Sequence, residues 1–343
     1  METSIQFIKK GYDGFFDFLK AYCIICVILA HNIPSHEAVA FSIWGGMQVP
    51  LFLLIQTFHA LKKGNATNNW RKILLRLILP FIIVEGILFI ILLLKTDGTY
   101  TEIFSVIKSF IIGGGYGPGS YYIWIYLQFA IILSVMAPIF RNWSRKNLLL
   151  LFVVISIMGE VFCSLTQMHN AIYRLLSIRY LFLIYLGYIW VKDGIVINRL
   201  TLLLSILSLG TILFFTYTDY NLEPLIFHTQ WKVHHWICYF YAANLLTFLI
   251  YQLYLLLKKT KLNPILLFIG RASWEIFLTQ IFIFVVLPKD TFSFISSVPL
   301  LNFCYIFLTL TLSITTGALL HIFIHRLHNP IKNTPSKKEI ENL

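Results

Sequence analysis

Long apolar runs separated by short polar loops dominate this chain, and their lengths predict helices that cross a membrane. Ten such runs cover roughly residues 15–33, 42–61, 73–94, 120–140, 147–165, 177–191, 200–217, 236–257, 264–287 and 299–325. The sixth is short enough to be tilted or partly covered by its neighbours. The piece 103–112 is too short to span and reads as re-entrant or interfacial. The predicted fold class is therefore all-α: a polytopic membrane protein with about ten transmembrane helices.

Basic residues in the loops give an orientation. With the N-terminus inside, the inner loops carry clusters such as Lys9-Lys10, Lys62-Lys63, Arg71-Lys72, Arg145-Lys146 and Lys258-Lys259. The outer segments carry only Lys95, Lys108, Arg174, Lys232 and Lys289. This split obeys the positive-inside rule and puts both termini in the cytoplasm. The chain reads as one membrane domain over 1–343, with a polar, mobile tail from about 329 and no repeat or second domain.

Composition strengthens that reading. Of 343 residues, 58% are hydrophobic and 12% charged, about half the charged fraction of a soluble domain. The net charge of +12 invites a nucleic-acid partner, but the basic residues are spread over short loops rather than gathered in a patch. The first residues, Met-Glu-Thr-Ser-Ile-Gln, carry no cleavable-signal pattern. All five cysteines lie in or at the ends of apolar runs. Cys23 and Cys26 have CxxC spacing but no other ligands near them in sequence, so they read as small core residues.

Candidate chemistry concentrates in the first run. Asp17 and Lys20 are three residues apart and so neighbours on a helix surface. Lys20 and His31 are eleven apart, which returns to within about 20° of the same face, about 16 Å along the axis. Ionisable groups at membrane depth are costly and mark a functional interior. A cation at the inner end suits an anionic cofactor, and an imidazole farther out suits a base. The bland alternative is a snorkelling lysine paired with Asp17, plus an interfacial histidine. Arg76, Arg71, Lys72 and Arg271 lie near inner helix ends and form, with Lys20, a candidate cationic pocket for phosphates. Arg76 otherwise meets lipid headgroups, and Arg271 otherwise pairs with Glu275.

Several other polar residues stay open. Glu85 sits in mid-helix at high cost, protonated or paired with a base. Glu160 and Arg179 lie toward outer ends, paired together or facing an outer substrate. His59 reads as interfacial, and His234-His235 as an aromatic-belt anchor or a sugar-binding edge. The glycine-rich stretch 113–120 lacks the Lys-Ser/Thr of a phosphate loop and reads as a flexible hinge or lid. His31, His36 and Glu37 match no metal-site spacing.

These blocks resemble the acyltransferase 3 family of bacterial integral-membrane acyltransferases. Asp17-x-x-Lys20 followed by ten residues and His31 is similar to that family's first-helix Asp-x-x-Arg…His. Pro50-Leu51-Phe52-Leu53, Arg71-Lys72 through Arg76 to Pro80, Trp124 in the run ending at Pro138, and Gly270-Arg271-Ala272-Ser273 through Leu278 resemble four further blocks in the same order. Lys20 stands where arginine is usual, which keeps the charge but loses the bidentate fork. Gln56-Thr57 replaces Ser-Gly, and Gln280 stands where a late histidine often lies.

The resemblance implies transfer of an acyl group, commonly acetyl, from acetyl-CoA or another acyl-CoA inside to a saccharide or glycolipid hydroxyl outside, without a metal. It implies a bacterial cytoplasmic membrane, lipid contacts, and polysaccharide biosynthesis or export proteins as partners. His31 would be the general base, Asp17 would orient or pair with Lys20, and Lys20, Arg76, Arg71, Lys72 and Arg271 would hold the donor. Direct transfer and an acyl-enzyme relay on His31 or a nearby hydroxyl both fit. The competing class is a transporter or flippase of envelope saccharides with His31 as a proton relay. It predicts paired halves with broken helices, and no such internal symmetry is visible.

Overall fold

A computed structural model of the chain describes residues 5–6, 14–33, 39–62, 70–95, 100–218, 234–288 and 299–328. Expectations for His36, Glu37, Lys63, Lys232 and the tail from 329 fall outside the described residues, as does the Lys72 side chain.

The fold is all-α. In chain order it comprises α1 (Phe15–Ala30), α2 (Val39–Trp44), α3 (Gln48–Lys62), and α4 (Trp70–Ile73), which runs through a π turn (Leu74–Ile78) into α5 (Leu79–Lys95). Then follow α6 (Tyr100–Gly113), α7 (Tyr122–Asn142), α8 (Arg145–Leu165), α9 (Asn170–Leu175), a 3-10 turn (Ile178–Tyr180), α10 (Phe182–Asp193) and α11 (Arg199–Thr218). α12 (His235–Phe240) runs through a second π turn (Tyr241–Leu246) into α13 (Thr247–Leu257). The order ends with α14 (Leu262–Arg271), α15 (Ser273–Val286) and α16 (Pro299–His328). One two-residue antiparallel ladder pairs β1 (Ile5–Gln6) with β2 (Val196–Ile197).

Among the described residues, seven helices are long and apolar enough to span, or eight if α14 and α15, bent by 75° at their junction, make one span. The second predicted run is broken between α2 and α3, leaving α3 with 15 residues, and the sixth yields α10 with 12. At 1.5 Å per residue these reach only about 22 and 18 Å, short of a hydrocarbon core of about 30 Å. They pack against each other in the interior, with Leu51, Leu54, Leu183 and Leu186 buried, so the bilayer does not set their length. α6, with 14 residues, is also too short to span, as its sequence suggested.

α1 is the most enclosed of the spanning helices: 67% of its window is buried, against 17–39% for the other six. It packs against α3, α13, α14, α15 and α16. A helix carrying Asp17 cannot face lipid without a large desolvation cost, and this one is surrounded by protein. Phe15, Leu19 and Cys23 pack with Leu54, Phe58 and Tyr254. Farther along, Ile24 and Ile28 join a second cluster with Ile276 and Leu278. The outer helices expose large apolar side chains, among them Ile82, Ile90, Leu150, Met158, Leu203 and Phe307, as lipid contact requires. Cys23, Cys26, Cys163 and Cys238 are buried free thiols, in line with their reading as core residues.

α14 reaches α1 through Gly270. A Cβ there would stand 1.7 Å from the Asp17 carbonyl oxygen, so only a hydrogen fits. The chain then bends at Ala272, itself fully buried, and α15 leaves along the far half of α1.

Candidate active site

The two ends of α1 carry the candidate chemistry. At the first, the Lys20 ammonium lies 2.6 Å from the Asp17 carboxylate. Asp17 is 1% exposed, while the Lys20 side chain keeps 26% of its surface. A buried carboxylate without its counter-ion costs several kcal/mol, so this pair is mutually required. Lysine has three donors; one faces Asp17, and the exposed side of the ammonium remains able to meet an anion.

The helix runs unbroken to Ala30, and His31 keeps helical dihedrals (φ −85°, ψ −10°) as its cap. The face shared by Lys20 and His31, and their separation of about 16 Å, therefore hold. The neighbouring Asn32 is buried and fixes this end. Its amide donates to the Ile28 carbonyl at 2.9 Å, and its oxygen accepts from Thr309 of α16 at 3.3 Å. His31 is exposed at the end of α1, with its ring 6.0 Å from the Phe284 ring of α15. Tyr122 and Tyr126 of α7 are half-buried.

The glycine-rich stretch passes beside His31 at Gly119. Its sequence suggested a loose hinge, but four hydrogen bonds tie it down. Trp124 Nε1 donates to the Gly114 carbonyl at 2.5 Å, and the Gly115 N–H to that of Phe110 at 3.0 Å. The Tyr116 N–H donates to Glu85 Oε2 at 2.8 Å, and Gln280 Nε2 to the Pro118 carbonyl at 3.2 Å. Gly119 has φ +87°, and a Cβ there would stand 3.0 Å from the Phe277 ring and 3.9 Å from His31 Nε2. Glycine is needed here for close approach as well as for its dihedral. Glu85, costly in mid-helix, thus serves as an anchor for this stretch. Gln280, at the position where a late histidine was expected, is a second anchor.

The remaining cations fall into two groups. Gly270 against Asp17 brings Arg271 to the Lys20 end, where it is exposed at the end of α14. The expected alternative, a pair with Glu275, is not formed, because the bend at Ala272 separates two residues that one straight helix would align. Glu275 Oε2 instead lies 3.2 Å from His321 Nδ1 of α16. Arg71 on α4 and Arg76 on the following π turn are both exposed, and neither forms an ion pair among the described residues.

A buried polar cluster lies apart from α1. The Tyr173 hydroxyl is 2.8 and 3.0 Å from the two Glu160 oxygens, and His235 Nδ1 is 3.6 Å from Glu160 Oε1. Arg179 donates to the Tyr180 hydroxyl at 2.6 Å and lies over its ring, while Tyr239 donates to the Arg179 carbonyl at 2.7 Å. Tyr173 meets both ions: its hydroxyl donates to Glu160, and the Arg179 guanidinium lies 5.9 Å from its ring centre. His235 is 5% exposed, so it is a core residue and not a belt anchor. The cluster ties α8, α9 and α12 together.

An enclosed helix thus carries a cation–carboxylate pair at one end and an exposed imidazole at the other, within a bundle of apolar helices long enough to span a membrane. The family model described as Acyltransferase domain matches residues 13–318, most of the chain, and the protein belongs to the acyltransferase 3 family. It is a multi-pass membrane acyltransferase. No curated protein and no solved structure matches it.

Proposed function

We propose that this protein moves an acyl group, acetyl in the simplest case, from cytoplasmic acyl-CoA to a hydroxyl of a saccharide or glycolipid on the outer side of a bacterial cytoplasmic membrane. The observation that carries the reading is the accessible His31 on the same enclosed helix face as the Asp17–Lys20 pair, about 16 Å away. The distribution of loop charges supports the orientation, with Lys20 inward and His31 outward.

A CoA nucleotide is too charged to enter the bilayer. Its phosphates stay at the inner end with Lys20, Arg271, Arg76, Arg71 and Lys72, and its thioester arm runs along α1. The acceptor hydroxyl meets His31 from outside. Its oxygen forms a bond to the thioester carbonyl carbon while its proton passes to the imidazole. The tetrahedral oxyanion then collapses, the carbon–sulfur bond breaks, and the CoA thiolate takes the proton from the imidazolium. Asp17 holds Lys20 in place.

CoA binding to the detergent-solubilised protein tests this reading. Arg76→Ala is expected to weaken binding by about 10–100-fold, the loss of one charge-assisted hydrogen bond, without loss of fold. Lys20→Ala alone removes the ammonium 2.6 Å from the buried Asp17 carboxylate and is expected to destabilise the protein. The double variant Asp17→Asn with Lys20→Ala removes the carboxylate charge as well, and its CoA affinity is expected to stay low. Wild-type affinity in both Arg76→Ala and the folded double variant contradicts the placement of the donor.

A further inference from the structure

Transfer through a tetrahedral intermediate needs a donor at the developing oxyanion, and α1 offers no group for it beside His31. Arg174 supplies the missing chemistry. It stands on α9, which is held from both sides: Tyr173 bonds Glu160, and Gln128 of α7 donates to the Leu175 carbonyl at 2.6 Å and accepts from the Ser177 N–H at 2.9 Å. The Arg174 guanidinium lies 5.4 Å from the centre of the Tyr121 ring. Tyr121 follows Gly119 by two residues, and Gly119 is the glycine that passes beside His31 Nε2. Arg174 is exposed.

The guanidinium has five N–H donors, and no carboxylate or carbonyl among the described residues accepts from them. Arg179, one short turn away, differs in this respect: it is buried and engaged with Tyr180. An arginine held against an aromatic face keeps its orientation through a cation–π contact while its edge stays open. The glycine loop thus links base and open cation: Gly119 passes beside His31, and Tyr121, two residues on, lies against Arg174.

We infer that Arg174 is a catalytic residue of this site, donating to the thioester carbonyl oxygen as that oxygen becomes negative. The inference rests on the acyl-transfer reading above. As the hydroxyl oxygen bonds to the carbonyl carbon, the carbonyl π pair moves onto oxygen beside Arg174. When the carbon–sulfur bond breaks, the pair returns and the guanidinium is released unchanged. The contact strengthens as charge develops, so it lowers the barrier rather than the free energy of donor binding.

Membrane vesicles from cells producing the full chain carry the acceptor, and labelled acetyl-CoA supplies the donor. Arg174→Gln is expected to cut the maximal rate of label incorporation by about 10²–10³-fold, the range for loss of one oxyanion donor. The KM for acetyl-CoA is expected to stay within about threefold, as uniform donor binding is untouched. Arg174→Lys, which keeps the charge and loses the fork, is expected to recover part of the rate, and added guanidinium ion to raise the rate of Arg174→Ala. An Arg174→Gln variant at full rate overturns the inference. So does a loss seen only in acceptor KM, which makes Arg174 a contact for an anionic acceptor, or a loss that neither lysine nor guanidinium reverses. Wild-type vesicles that incorporate no label overturn the acyl-transfer reading itself.

Discussion

His31→Ala is expected to yield a folded, membrane-inserted protein whose acyl transfer is at least about 10²–10⁴-fold slower, the usual value of one general base. Two features argue that the fold survives. The imidazole makes no hydrogen bond among the described residues, and the end of α1 is fixed by Asn32 through Ile28 and Thr309. The residue is also exposed, so truncation leaves little unfilled volume in packed protein. The measurement is release of CoA from acetyl-CoA by the purified variant, read beside its thermal unfolding profile and its CoA affinity. Affinity is expected to stay near wild type, since the phosphates are held at the far end of the helix. Wild-type turnover in the variant removes His31 from the mechanism.

Gly270→Ala is expected to have the largest effect on stability. Most glycine substitutions in helices are mild or even favourable. Here the new methyl group would stand 1.7 Å from the Asp17 carbonyl oxygen and 2.5 Å from its carbonyl carbon. Both are backbone atoms of the most enclosed helix, so no rotamer change relieves the overlap. Overpacking a core costs about 1–3 kcal/mol and occasionally more, and a clash between two backbones belongs at or above the top of that range. Separation of α14 from α1 also disturbs the Asp17–Lys20 pair and Arg271. The expected result is a clear fall in the unfolding temperature of the solubilised protein, with weaker CoA binding in whatever remains folded. Gly86, whose added Cβ would meet nothing within 4 Å, is the matched control on α5. An unchanged unfolding temperature for Gly270→Ala means that α14 does not approach α1 as described.

Much of the site was legible because one helix carries it. Helical periodicity alone aligns Asp17, Lys20 and His31, and the cost of ions in lipid marks that face as interior. What sequence could not supply is whatever depends on distant partners. Glu85 and the glycine loop are 31 residues apart, and Gln280 and the same loop 162. Each of the three stood out as needing explanation, but nothing in the sequence paired them. The Glu160 cluster is similar: both ions were conspicuous, but Tyr173 and Tyr180, which bond their side chains, look like any other aromatic residues. Arg174 appeared only as one of a few outer-side cations.

Hydropathy does not separate lipid contact from burial in protein: α3 and α10 pack on each other with Leu51, Leu54, Leu183 and Leu186 buried, as the short sixth run had suggested for α10. The break after α14 gave little warning either: only the small residues Gly270 and Ala272 mark a 75° bend.

The central claim is that one enclosed helix links a phosphate-holding end to a catalytic end. A cryo-electron-microscopy map of the solubilised protein with a non-hydrolysable acetyl-CoA analogue tests it most directly. The account predicts the diphosphate beside Lys20 and the acyl carbonyl beside His31, with the arm along the face between them. An analogue bound elsewhere, or one whose arm runs away from His31, contradicts it.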